Sequence, residues 1–520
     1  MAGTAPLIRR FLPAAAIAAV LGVHGWLIVE NIHLDGDTLR DAWRLTSVTS
    51  FAGSWTFRAA SAPAYVLQGP VTWVAVHAGR VVLPWWNELT VARLFSWLAA
   101  AAIAAALWHL AGEVGADLPG RLLAVFLPFC WHGFSFLIAE CDDNLTTDAL
   151  RVATLGVLLG VGPHRRRACL AGAVAGLAIA WHFQSILLLP AGALALFWSR
   201  CRSDHSPVPA VLGYLGIAVA VYSTCLLAAF AAGLEGNPGY SGLLAGWAGH
   251  HVQKTGWWFF SSGRTAAAQV GLIGEGWGRM SGGYSWLRPE GLHGVAHLLV
   301  PALVLLVLAA ATLGPLVRSA AGSVLVPVFI VEGAHSLFYE PENIERWDLW
   351  AVLSGLAAAA AITRLVLEGR PATARRLRAG WFALGALLAM LNVGGWYQFT
   401  VRGEAVFLDV VEGRRADPGI GLDCIGAHRT LCRAARSFVA ALSPADGFEA
   451  DVEARMPDAF HQFWTANWLL NYLMIEDRDL FLHPGPRRVA VRVFRPLPPG
   501  SEWRVLGQER FAYLLIRGRH

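Results

Sequence analysis

Apolar runs of about 17 to 25 residues, the length that crosses a bilayer core, recur along the chain until residue 400 and then stop. They fall near 8–30, 90–112, 121–139, 145–162, 168–183, 184–198, 207–232, 293–316, 321–337, 347–367 and 379–398, which predicts about eleven transmembrane helices. The fifth and sixth runs are short and parted only around His182-Phe183-Gln184, so one re-entrant hairpin fits them as well as two crossings. Short loops rich in arginine stay cytoplasmic. Placing Arg9-Arg10, Arg165-Arg166-Arg167, Arg200 with Arg202, and the run Arg370, Arg375, Arg376, Arg378 on that side closes the alternation without conflict. Segments 31–89, 140–145, 233–292 and 338–346 then lie outside, together with the tail, and carry most of the acidic chemistry.

Two of these outer segments are themselves patterned. Ala64 to Val82 is apolar but interrupted by Gln68, Pro70, His77 and Arg80, as expected of an amphipathic helix in the membrane interface. The 233–292 loop carries Trp257-Trp258-Phe259-Phe260, rings suited to headgroup depth. Beyond residue 399 the pattern changes: Arg433 to Leu442 and Phe460 to Ile475 read as helices, Arg488 to Phe494 and Phe511 to Arg517 as strands. The expectation is a transmembrane domain over 1–398 and a small extracytoplasmic α/β domain over 399–520.

Composition agrees with a multi-pass membrane protein. The 520 residues are 56% hydrophobic and 15% charged, with mean hydropathy +0.48, where soluble domains carry roughly a quarter charged residues. The net charge of +5 is explained by the arginine-rich loops and calls for no nucleic-acid partner. The first run follows Arg9-Arg10 without a small-residue cleavage site and reads as a retained anchor. Seven cysteines show no metal-ligand spacing; Cys424 and Cys432, in the tail, are placed where a disulfide is chemically permitted.

The outer segments hold three acidic groups. Asp35-Gly36-Asp37 follows the first crossing, where a carboxylate could take a proton from an acceptor arriving beside a lipid-linked substrate. Asp37 is equally placed to cap a helix over Thr38–Arg44. Glu140-Cys141-Asp142-Asp143-Asn144 fills the short loop before the fourth crossing, with Asp148 slightly deeper. His335, then Tyr339-Glu340-Pro341-Glu342-Asn343-Ile344-Glu345-Arg346-Trp347, joins the ninth and tenth crossings; Arg346 could fork onto a phosphate or neutralise Glu342. His250-His251 and Lys254 rank below these.

In order and pattern the chain resembles the GT-C superfamily of membrane glycosyltransferases, above all the protein O-mannosyltransferase and lipid A aminoarabinose transferase type. The resemblance rests on Asp35-Gly36-Asp37-Thr38-Leu39-Arg40-Asp41-Ala42, Pro63-Ala64-Tyr65, Ala92-Arg93-Leu94-Phe95-Ser96, Asp142-Asp143-Asn144, the paired short runs over Gly172 to Pro190, and the His335 to Trp347 loop. It implies an inverting transferase of a bacterial inner membrane, N-terminus cytoplasmic. Such an enzyme moves a sugar from a polyprenyl-phosphate donor to an acceptor on the periplasmic face. Asp37, or failing it Asp35, would be the base; Arg346, Glu342, His335 and Glu340 would bind the donor phosphate, with Asp142 and Asp143 as a second acidic motif. A divalent Mg²⁺ or Mn²⁺ stays open, with Asp37 and Asp142 as its ligands. The motif is Asp-Gly-Asp where O-mannosyltransferases have Asp-Glu, so the sugar is not carried over.

Two other classes keep the same topology. A transporter or flippase for a lipid-linked solute normally shows internal repeats and midplane polar residues; no repeat is present, and the acids gather at one face. A polysaccharide polymerase or ligase would lean on outer-loop arginines, for which Arg264, Arg279 and Arg288 are available.

Overall fold

Each of the eleven expected crossings coincides with helix in the structure, a computed structural model that describes residues 5–29, 42, 45–46, 48–55, 65–141, 143–160, 164–201, 206–236, 258–282, 292–397, 427–442, 446–448, 469–476, 487–493, 503–509 and 512–517. Besides single turns at Phe51–Ser54 and Phe259–Ser262, the described helices are α1 (Ala5–Val29), α2 (Gln68–Arg80), α3 (Glu88–Glu113), α4 (Leu118–Cys130), α5 (His132–Glu140), α6 (Asp143–Leu159), α7 (His164–Trp181), α8 (Leu188–Cys201), α9 (Val208–Gly236), α10 (Ala266–Ser281), α11 (Leu292–Arg318), α12 (Gly322–Phe338), α13 (Asp348–Leu367), α14 (Pro371–Tyr397) and α15 (Ala427–Ala441). Among the described residues, α3, α9, α11, α13 and α14 are long and apolar enough to cross a bilayer unaided, and the bent pair α4–α5 makes a sixth. Shorter apolar stretches are Pro13–Val29 of α1, Phe183–Ser199 and α12, the last reaching only about 25 Å with its 17 residues. The helix expected within Ala64–Val82 is α2.

The third expected crossing is bent, at a place where the apolar run contains Pro128. α4 and α5 meet at 67°, with Trp131 extended between them. Pro128 supplies no N–H, and the break removes the helical partner of the Phe129 carbonyl. In lipid such a group costs several kcal/mol unless satisfied. The Asn392 amide of α14 donates to it at 3.1 Å and the Ser135 hydroxyl at 3.3 Å. Asn392 also donates to Ser135 at 2.9 Å and meets His132 Nδ1 at 3.0 Å, while His24 of α1 reaches Ser135 at 2.9 Å. The bend is therefore held by one polar junction shared by α1, α5 and α14.

Small residues let the remaining helices approach. Gly172 and Gly176, four apart on α7, face α9 so closely that a Cβ on either would lie 2.4 Å from the Tyr214 carbonyl or 2.6 Å from that of Ala218. α13 occupies the centre, with Leu356 to Ile362 buried and Gly355 against the Leu123 carbonyl of α4.

The fifth and sixth crossings are joined as the apolar pattern implied, by a single 3₁₀ turn over Phe183–Leu187. The tail carries α15 against a four-stranded sheet of β1 (Asp446–Phe448), β2 (Arg487–Val493), β3 (Trp503–Glu509) and β4 (Ala512–Arg517), in the order β1-β2-β4-β3. β2 and β4 are the two expected strands. β1 and β3 were not expected: one is three residues long, and the other carries Gly507 and a register shift between Val505 and Gly507 in place of clean alternation. The expected helix over Phe460–Ile475 is described over 469–476. There Tyr472 is fully buried and comes within electrostatic reach of Arg93 and Cys141, so the tail meets the acidic-loop end of the bundle. Cys432 is buried on α15; Cys424 lies outside the described residues.

Candidate functional site

The two ends of the bundle differ in chemistry. One gathers Asp117 with Arg378 at 2.8 Å, and Glu368 between Arg318 and Arg364, each at 2.9 Å. The other gathers the loop after α12, the α7–α8 turn and the start of α6.

That second end is built around Arg346. The loop after α12 turns sharply: Glu340 has φ 39°, a left-handed conformation unusual for a residue with a side chain, and it precedes Pro341. The 3₁₀ turn Ile344–Arg346, capped by Asn343, then swings Arg346 back over the loop. Its guanidinium donates to Glu340 at 2.9 Å and to Gln184 in the α7–α8 turn, pairs with Glu345 at 3.5 Å, and lies 5.2 Å from the centre of the Tyr339 ring. Burial opposes the charged form of Arg346, but the carboxylates of Glu345 and Glu340 outweigh it and raise its pKa. Tyr339 stacks on His335 at 4.9 Å, and Trp258 packs edge-on against His335, so aromatic rings wall one side. α10 clamps the loop from outside: Gln269 donates to the Leu337 carbonyl at 2.6 Å and Arg279 to that of Glu342 at 3.3 Å, while Gly276 leaves no room for a side chain beneath Pro341.

Beneath Arg346 lies a second, fully buried charge layer. Arg151 of α6 pairs with Asp148 at 3.5 Å and donates to Ser185 at 3.4 Å. Glu332 of α12 and Asp348 at the start of α13 lie within its electrostatic reach, and Glu332 also within that of Arg346. Asp148 Oδ2, Arg151 Nη2, Glu332 Oε1 and Arg346 Nε are buried and make no hydrogen bond. Five carboxylates (Asp148, Glu332, Glu340, Glu345, Asp348) thus surround two guanidiniums (Arg151, Arg346). Such a set cannot be rebuilt from water cheaply, and it holds each member in place.

Of the residues singled out in the sequence, Arg346, Glu340 and His335 are brought together. Glu342 is not Arg346's partner: that place is taken by Glu340, Glu345 and Gln184, and Glu342 contributes its carbonyl to Arg279. Asp143 is buried at the start of α6, and α5 ends against the 344–346 turn. Asp35, Asp37 and Asp142 lie outside the described residues, as do His250, His251, Lys254 and Arg288. The loop after α1 is nonetheless described where it returns. Tyr65 packs edge-on against His182 at 4.9 Å, and Leu67 N–H donates to the Ala180 carbonyl at 2.9 Å, beside the turn that supplies Gln184. Arg279 forms a clamp with Glu275 at 2.5 Å, and among the described residues no three His, Cys, Asp or Glu side chains are grouped to hold a metal ion.

Arg151, Glu332 and Asp348 escaped the sequence reading. The signal was present: an arginine three residues after Asp148 in one apolar run, and a glutamate inside another, are the rare intramembrane charges that mark functional positions.

Among solved structures, the chain is similar to ArnT from Cupriavidus metallidurans bound to undecaprenyl phosphate, at TM-score 0.54 and 14% identity, covering 99% of this chain and 98% of that one. It is also similar to the apo state of the same protein, at TM-score 0.42 and 14% identity over 98% of each chain. The oligosaccharyltransferase of Archaeoglobus fulgidus tethered to an acceptor peptide gives TM-score 0.43 and 13% identity over 79% of this chain and 58% of that one. No family model matches the sequence, and no curated protein does. The fold, a polytopic helical bundle followed by a small mixed domain, is shared with ArnT.

Proposed function

We propose that this chain is an integral membrane glycosyltransferase that takes a sugar from a polyprenyl-phosphate donor and passes it, with inversion, to an acceptor at the extracytoplasmic face. The observation that carries the reading is the meeting of the α7–α8 turn and the late loop at Arg346, with Tyr65 and Leu67 packed beside that turn, in the fold of a structure that holds undecaprenyl phosphate. Inverting transfer requires a base on the acceptor and charge stabilisation on the leaving phosphate. Arg346 supplies the second: its guanidinium exchanges a carboxylate contact for a phosphate oxygen, keeping the forked geometry. Asp37, or Asp35, supplies the first from the loop that Tyr65 anchors beside His182. A divalent ion held by Asp37 and Asp142 would add positive charge where carboxylates outnumber guanidiniums. The domain after residue 399 borders the acceptor side.

The test is sugar release from a panel of radiolabelled polyprenyl-phosphate sugars by purified protein in lipid. Asp37→Asn is expected to lose turnover while retaining donor, and Arg346→Ala to lose donor binding. Full turnover in Asp37→Asn moves the base to Asp142, Asp143 or Glu342. Turnover that survives Arg346→Ala but not substitution of Arg264 or Arg288 replaces the reading with the polymerase one.

A further inference from the structure

The end of the bundle opposite Arg346 contains a cavity of about 400 Å³, bounded by the last turns of α3, α6, α8 and α13 and the first turns of α7 and α12. It belongs to no part of the site above. Arg167 and Arg364 line it together with Ser199, Ser319 and Thr363, and Glu113 stands at its edge, 3.8 Å from His109. These hydroxyls and that of Ser323, which also lines the cavity, spend their hydrogens on backbone carbonyls, of Leu196 at 3.1 Å, Leu316 at 2.7 Å, Ala359 at 2.9 Å and Ala320 at 2.8 Å. Arg167 donates its Nη1 to the Gly160 carbonyl, so the donors left over are those of Arg364. Arg364 is held by its Nε, which donates to Glu368 at 2.9 Å, and its two terminal amino groups meet no acceptor among the described residues. Glu368 is shared with Arg318, so three guanidiniums (Arg167, Arg364, Arg318) face two carboxylates (Glu113, Glu368), and Arg165 and Arg166 stand exposed on the next turn.

We infer that this cavity binds a phosphate group. A positioned guanidinium fork with free N–H donors matches phosphate oxygens. The volume is that of a small-ligand site, large enough for a phosphodiester and its glycerol. Leu367, on the rim and 75% exposed, gives the mouth an apolar side. Such a basic pocket between crossings at the arginine-rich end suits an anionic phospholipid headgroup of that leaflet; a free phosphate compound presents the same chemistry. The inference does not depend on the glycosyltransferase reading.

Native mass spectrometry of the full-length protein, titrated separately with short-chain phosphatidylglycerol, short-chain phosphatidylcholine and inorganic phosphate, tests it. Arg364→Gln removes the free donors, and Ala320→Phe fills the cavity while leaving every ion pair intact, so the second variant decides if the first misfolds. Expected is a phosphatidylglycerol adduct that outbinds phosphatidylcholine and weakens roughly tenfold in either folded variant, the scale of one charge-assisted hydrogen bond. Binding of inorganic phosphate that competes with the lipid, or that occurs without it and is lost in Ala320→Phe, confirms the site and names the source. Equal retention of both lipids with no phosphate binding, or phosphatidylglycerol affinity unchanged in Ala320→Phe, overturns it.

Discussion

Arg346 and Glu340 face each other across 2.9 Å on the same short turn, and Glu340 reaches that position only by adopting a left-handed backbone. Removing the cation strands Glu340 and Glu345 in a largely buried site. Arg346→Ala is therefore expected to cost about 3–5 kcal/mol of stability as well as donor binding. Arg346→Lys keeps a charge but not the fork, and is expected to fold better while still binding donor poorly. Chemical unfolding in detergent, read beside donor affinity, separates the two; an alanine variant as stable as wild type means the ion pair does not hold the turn.

Arg151 is the cation of the layer below and is 1% exposed at its side chain. With it replaced by alanine, Asp148, Glu332 and Asp348 are left as neighbouring buried acids. A loss of about 3–5 kcal/mol is expected, larger than for Ala at exposed Arg375. Thermal unfolding of the two variants in the same detergent is the comparison.

Gly276 sits where an added Cβ would lie 1.8 Å from the Pro341 carbonyl, a backbone atom that cannot yield without moving the loop. Gly276→Ala is expected to leave helical content intact but shift the 340–346 turn, weakening donor binding roughly tenfold or more. Circular dichroism with a donor titration reads both; unchanged affinity would mean that α10 does not set the loop.

Glu368 offers a pH test away from the site. Hydrogen bonds from Arg318, joined by those of Arg364, hold its carboxyl at about 2 against an ordinary 4.5. Because the folded value is the lower one, its contribution is complete above pH 4.5 and drains away as pH falls toward 2. The stability gap between wild type and Glu368→Gln should be constant from pH 7 to 5 and close between pH 4.5 and 2. A gap that stays open through that interval would show that the charge is not what Glu368 contributes.

Much of the bundle was legible because the bilayer allows so few solutions: apolar length marked the long helices, and even the α7–α8 turn showed at His182-Phe183-Gln184, where two polar residues flank a phenylalanine. The break at Trp131 was not legible. Its cause is Pro128 within an apolar run, and its remedy lies far along the chain at Asn392. The site was half legible for the same reason. Local acidity pointed to Glu340 and Arg346, but the pairing of Arg346 with Glu345 and Gln184 instead of Glu342 depends on the Ile344–Arg346 turn. The approach of Arg151 to Glu332 and Asp348 likewise depends on how three separate helices meet.

The broken span also has an order in time. When α4 and α5 leave the ribosome, the Phe129 carbonyl has the Ser135 hydroxyl for company, at 3.3 Å, and no more. Its better partner, the Asn392 amide, lies 263 residues further along, on the last crossing. Helices α6 to α14 must be synthesised before that bond can close. The α4–α5 pair is thus finished only when α14 arrives, and a nascent chain cut short before α14 carries an incompletely satisfied kink in lipid.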